Sequence, residues 1–122
     1  MADFLVLTLD CNDLDVQTAF WTAALGYIPQ GGVGQYRALV DPQGMQPKLL
    51  LQGVDEPKPG KNRLHLDLHV ADVEGEAQRL QSIGATRVDR IEEFGIFWII
   101  LHDPEGNEFC VVPTASATAH PG

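Results

Sequence analysis

A chain that repeats its own pattern constrains its fold more than any composition does, and this one is written twice. Shifted by 59 positions, "LVLTLDCNDL" (Leu5 to Leu14) falls on "LHLDLHVADV" (Leu64 to Val73). Leu5, Leu7 and Leu9 fall on Leu64, Leu66 and Leu68, and Asp13 falls on Asp72. Each stretch alternates apolar with other residues, the period of a half-buried strand. Each ends at an aspartate suited to cap a helix, because its carboxylate accepts from an orphan N–H of the first turn. After Asp13, an apolar stripe of Val16, Ala19, Phe20, Ala23 and Ala24 predicts a helix closing at Gly26. After Asp72, Val73, Ala77, Leu80 and Ile83 predict a second, closing at Gly84.

The repeat continues into a pair of corners. "YRALV" runs into "DPQG" (Asp41 to Gly44), and "WIILH" runs into "DPEG" (Asp103 to Gly106). Asp-Pro starts a turn by fixing φ at the proline, and the glycine takes the left-handed position that follows. "PKLLLQ" and "EFCVVP" then read as strands. The stretches "YIPQGG" and "TRVDRIEE" are the least periodic strands, and "GGVG" (Gly31 to Gly34) is expected to be a flexible loop. The pattern is thus α+β: two tandem βαβββ modules related by a pseudo-twofold. Module 1 covers about 4–52 and module 2 about 63–113, with an aperiodic linker at 53–62 and a frayed tail at 114–122.

The totals exclude several functions. With 122 residues and a formal charge of −9, the average surface repels a phosphate backbone, so no nucleic acid is expected. No apolar run is long enough for a membrane span, and the N-terminus lacks the basic start of a signal peptide. Cys11 and Cys110 do not form a disulfide framework, which suits a cytoplasmic protein with free thiols. P-loop, dinucleotide-binding, GxSxG and CxxC motifs are absent from the sequence.

The doubled βαβββ unit, with "NRLHLDLHVAD" and "DPEGNEFCVV", resembles the vicinal oxygen chelate superfamily: glyoxalases, bleomycin-resistance proteins and extradiol dioxygenases, most of all its small glyoxalase-like members. The resemblance implies curved mixed sheets around a cleft, a small-molecule ligand there, often a divalent metal, and a homodimer. It implies metal ligands at Val6, Leu50, His65 and Cys110. Val6 and Leu50 carry no donor atom, and Cys110 stands where a glutamate is usual. The purified protein is therefore expected not to hold a stoichiometric metal; were one to bind, Zn²⁺ would come first, since Mg²⁺ and Mn²⁺ do not favour a thiolate. Asp67 or Glu108 could supply a third ligand. The plainer reading of Cys110 is a small buried hydrophobe.

His65, Asp67 and His69 share one strand face, opposite Leu66, Leu68 and Val70. Burying Leu64, Leu66 and Leu68 against the helices turns the polar face toward the ligand side. His65 and Asp67 are then candidate catalytic residues, a near-neutral imidazole with a carboxylate to orient it; the competing reading is a wet face or a structural ion pair with Arg63 or Arg37. Tyr36 and Trp98, at equivalent places before the two corners, are candidate substrate-binding residues together with Leu50 and His69, or else ordinary core aromatics and strand residues. The expected activity is lyase- or isomerase-type chemistry on a small hydrophobic or oxygenated metabolite. The rival is a non-catalytic, metal-free binder of the bleomycin-resistance type.

Overall fold

The computed structural model describes residues 1–114, in two compact units, Met1–Pro57 and a second from Lys58 onward. The first unit runs β1 (Val6–Cys11), α1 (Leu14–Leu25), β2 (Ile28–Val33), β3 (Tyr36–Val40) and β4 (Lys48–Gly53). The second runs β5 (Leu66–Val70), α2 (Val73–Ser82), β6 (Thr86–Glu93), β7 (Ile96–His102) and β8 (Glu108–Pro113). Each forms a four-stranded mixed sheet, in the orders β1-β4-β3-β2 and β5-β8-β7-β6. β1 pairs with β4, and β5 with β8, in parallel; the remaining pairs are antiparallel. The two βαβββ modules are present. The expected tail lies largely outside the described residues.

Local chemistry sets the element ends. Asp13 caps α1 by accepting from Val16 N at 3.1 Å, and Asp72 caps α2 by accepting from Gly75 N at 3.0 Å. Gly26, at φ 69°, closes α1 in the left-handed conformation. At the corners, Gly44 N donates to Asp41 O and Gly106 N to Asp103 O, both at 2.9 Å. The corners differ in depth. Asp41 accepts from three backbone N–H groups of the following loop, which outweigh burial and hold its carboxyl below the usual range. Asp103 is buried and accepts from Glu105 N, Asn107 N and Asn107 Nδ2, each at 2.9 Å.

Each sheet has one face packed with apolar side chains. In the second unit, the pairings Leu66–Phe109, Leu68–Val111, Ile99–Val111 and Leu101–Phe109 place these residues on one face. Phe109, Val111, Ile99 and Leu101 are buried there, with Val73, Ala77 and Leu80 of α2, which packs on β7 and β8. At about 1.5–3 kcal/mol per large apolar side chain, this face fixes the register of the sheet. In the first unit Leu39, Leu49 and Leu51 are buried alongside Phe20 and Trp21 of α1, whose rings meet edge to face at 5.0 Å.

Three expectations are corrected. Leu64 precedes β5 and is 75% exposed, because pairing with β8 begins only at Leu66. The buried stripe of α1 is Gln17, Phe20, Trp21 and Ala24, turned one residue from the expected one, and Val16 is exposed. Burial of the bulky Trp21 sets that rotation. "GGVG" is not a free loop: Gly31 to Val33 belong to β2, which is irregular between Pro29 and Gly32. A Cβ on Gly32 would stand 2.4 Å from Tyr36 O, so the strand approaches β3 there only as glycine. The stretch read as a linker is hydrogen-bonded at both ends: Asn12 Nδ2 donates to Val54 O and Glu56 O, and Asn62 N donates to Glu108 of β8.

Candidate metal centre

The parallel pairing of β5 with β8 makes Asp67 and Cys110 direct partners across the sheet. Strand alternation turns both away from the Phe109–Val111 face. His65 lies just before β5. The ligand-type atoms of His65, Asp67 and Cys110 all stand within 4.8 Å of one another. This brings together the candidate catalytic pair and the candidate metal ligands, with Asp67 rather than Glu108 as the third member of the cluster.

Exposure falls across the cluster. The His65 side chain is 44% exposed, that of Asp67 19%, and Cys110 is 9% exposed. His65 Nδ1 lies 3.1 Å from Asp67 Oδ1, an ion-pair distance. The ring is not aligned to donate along that line, and Oδ1 is buried with no hydrogen-bond partner. Burial pushes the Cys110 thiol up to about 11; the Asp67 charge and the hydrogen bond it accepts push the same way, while Lys61 opposes them. Cys110 is thus a protonated thiol at neutral pH, held against a carboxylate.

Around the cluster, Glu108 begins β8 two residues before Cys110. Its Oε2 accepts from Asn62 N at 2.7 Å and its Oε1 from Lys58 Nζ at 3.1 Å. Burial works against ionisation of Glu108, but these donors outweigh it and hold the carboxyl below its usual range. His102 Nε2 stands 3.9 Å from Glu108 Oε1. Asn62 Nδ2 donates to Asn107 Oδ1 at 3.2 Å, so the second corner grips the linker residue that lies three positions before His65. The sequence reading missed this clamp. Its signal was the difference between the corners: "DPEGNE" offers Asn and Glu where "DPQGMQPK" has Pro and Lys.

The other candidate residues are dispersed. His69 is exposed, two positions beyond Asp67 on β5, and Trp98 is half-buried on β7, on the same alternation as Ile100, the partner of Cys110. Tyr36 and Leu50 belong to the first unit. Tyr36 is exposed at the start of β3; Leu50 is half-buried between Thr8 and Ala38. Among the described residues, the clustered donors are confined to the second unit, and Val6 and Leu50 remain without a donor atom.

The fold agrees with the family comparison. The glyoxalase-like domain family matches residues 6–112, so the chain belongs to the glyoxalase-like family. Solved neighbours include members of the glyoxalase/bleomycin resistance/dioxygenase group. A family enzyme from Burkholderia phytofirmans superposes with TM-score 0.78 at 17% identity, over 92% of this chain and 98% of that one. The fosfomycin resistance protein FosX from Listeria monocytogenes superposes with TM-score 0.76 at 13% identity, over 93% of each chain. A FosX variant complexed with Mn(II) and 1S,2S-dihydroxypropylphosphonic acid gives TM-score 0.77 at 15% identity, covering 95% of this chain and 94% of that one. At such identities the likeness is one of fold. No curated protein matches the sequence significantly. Among the described residues, no helix is long and apolar enough to cross a membrane.

Proposed function

We propose that the second unit holds a divalent metal at His65, Asp67 and Cys110, and that the protein is a glyoxalase-like enzyme of lyase or isomerase type acting on a small oxygenated metabolite. The observation that carries this is the convergence of three different donor groups within 4.8 Å around a buried carboxylate oxygen without a partner. An orphaned buried oxygen calls for an explanation, and a role as a metal ligand is one. The donor set fits zinc: imidazole, carboxylate and thiolate are its ordinary ligands, whereas Mn(II) disfavours the thiolate. Three protein ligands, against the two firm ones counted from sequence, revise the expectation of a metal-free protein.

A metal held there would supply Lewis-acid polarisation of a ligand oxygen. The chain's own residues do the rest. Cys110 must release its proton to become a ligand, so binding draws one proton from a thiol held up near 11. Asp67 stands beside both His65 and Cys110 and is placed to orient the imidazole. His69 and Trp98 are assigned to the ligand side, a base or donor and an apolar wall. Elemental analysis and zinc titration by calorimetry test the reading. One ion per chain is expected, lost in His65→Ala, Asp67→Ala and Cys110→Ser while each variant stays folded; failure of the wild-type protein to bind zinc at micromolar concentration overturns it.

The raised thiol and the donorless Val6 and Leu50 favour a second reading, a metal-free small-molecule binder in which His65 and Asp67 form a polar contact pair. Retention of ligand binding after exhaustive chelation separates the two.

A further inference from the structure

The internal repeat supplies its own control for the donor cluster. Shifted by 59 positions, His65 falls on Val6. In the first unit the parallel ladder of β1 and β4 begins at that residue, with Val6 paired to Lys48 and Thr8 to Leu50. In the second unit the corresponding step beside Asp67–Cys110 would pair His65 with Glu108, yet the ladder of β5 and β8 starts only at Leu66. The module without donor atoms at these places carries its strand through. The module with them lets the chain leave the sheet at His65.

The side chain of Glu108 then takes over from the ladder. Its Oε2 accepts from Asn62 N at 2.7 Å and its Oε1 from Lys58 Nζ at 3.1 Å. Asn62 Nδ2 donates to Asn107 Oδ1, and Asn107 is held in turn by the buried Asp103. Only Arg63 and the exposed Leu64 separate Asn62 from His65. Neither strand pairing nor burial of Leu64 sets the place of His65, which leaves the clamp to do so. Residues two apart on a regular strand stand about 7 Å apart, and His65 Nδ1 closes to 3.1 Å of Asp67 Oδ1.

Stability alone does not account for the clamp. Asn62 Oδ1 is buried without a hydrogen-bond partner, a cost that offsets the bond its side chain donates. Resting on the metal-centre reading, we propose that Glu108 and Asn62 are positioning residues: they hold the chain ahead of β5 onto β8 and so fix His65 within ligand distance of Asp67 and Cys110.

The test follows cobalt(II) binding to the whole chain. The near-ultraviolet thiolate-to-cobalt band reports whether the metal sits on Cys110, whatever the clamp does. In the metal-free protein, the backbone order parameter of His65 reports how firmly that residue is held. Glu108→Ala should keep the thiolate band and weaken cobalt binding about tenfold, the lower end for groups that support a metal ligand. The His65 order parameter should drop from about 0.85 towards about 0.6. Asn62→Ala, which keeps the N–H and loses the bond to Asn107, should move both readouts the same way by less. Glu108→Gln keeps an oxygen to accept from Asn62 N and should recover most of the affinity. Asp72→Ala removes the α2 cap and should lower Tm while leaving cobalt affinity at the wild-type value. Wild-type affinity in both Glu108→Ala and Asn62→Ala overturns the proposal. So does weakening in Glu108→Ala and Glu108→Gln alike with Asn62→Ala unchanged, which would make Glu108 a ligand itself, and so does equal weakening in Asp72→Ala. If the thiolate band never forms in the wild type, the metal reading has failed, and the order parameter decides for the clamp: a fall in Glu108→Ala upholds it, and an unchanged value overturns it.

Discussion

Removing the Asp67 carboxylate should stabilise the metal-free protein and cost it the metal. Its Oδ1 is buried without a hydrogen-bond partner, which costs about 1–3 kcal/mol relative to a satisfied or solvated group. Two contacts offset part of that. The pair with His65 is half solvated on the histidine side and contributes about 0–1 kcal/mol. The thiol of Cys110 is a weak donor. Asp67→Val keeps the side-chain volume close and suits the strand. In chelator-treated protein it should therefore raise stability by roughly 1 kcal/mol, a few degrees in Tm for a chain of this size. Zinc at a hundred times its Kd should then stabilise the wild type by about 2.7 kcal/mol and leave the variant unmoved. The order of stability inverts between chelator and zinc. Urea unfolding under both conditions reads this directly. A variant destabilised by more than about 1 kcal/mol in chelator, or one that zinc stabilises as much as the wild type, would show that Asp67 is a structural residue and refute the argument.

Four further outcomes follow from the packing and the titrations. Leu101→Ala, at a fully buried position on the α2-facing side, should cost about 2–5 kcal/mol in urea unfolding, against less than about 1 kcal/mol for Leu64→Ala at its exposed site. Asp103→Ala should be more destabilising than Asp41→Ala by more than about 1 kcal/mol, because Asp103 is buried and leaves Asn107 without its acceptors; equal losses would mean that both aspartates act only as turn formers. Cys110, raised from 9.0 to about 11, contributes stability that is intact below the thiol pKa of the unfolded chain and is lost as pH climbs from there to about 11, a total of roughly 2–3 kcal/mol that Cys110→Ala should abolish in unfolding curves taken from pH 7 to 11. Glu108, lowered, acts with the opposite sign: its contribution is present above the ordinary carboxylate range and is lost as pH falls through its depressed value, and Glu108→Gln should flatten that acid limb.

Much of the fold was legible because its signals are local. Alternation in "LHLDLHV", the aspartate caps at Asp13 and Asp72, and the Asp-Pro-x-Gly corners each depend on a few consecutive residues, and the internal repeat supplied every one of them twice. The same period of two that buries Leu66 and Leu68 on one face puts Asp67 on the other, so the polar strand face was readable as well. What the chain could not show by itself was pairing across distance. Only the parallel register of β5 on β8 sets Asp67 beside Cys110, and that register is decided by how Phe109, Val111, Ile99 and Leu101 fill the space under α2. Only tertiary contact turns an aperiodic linker into a strap, with Asn62 held by Glu108 and Asn107 from the far end of the unit. The rotation of α1 toward Gln17 and Trp21, and the release of Leu64 to solvent, have the same origin. Backbone period and capping are properties of neighbours in sequence; burial and ligand convergence depend on which distant side chains the packed core brings alongside.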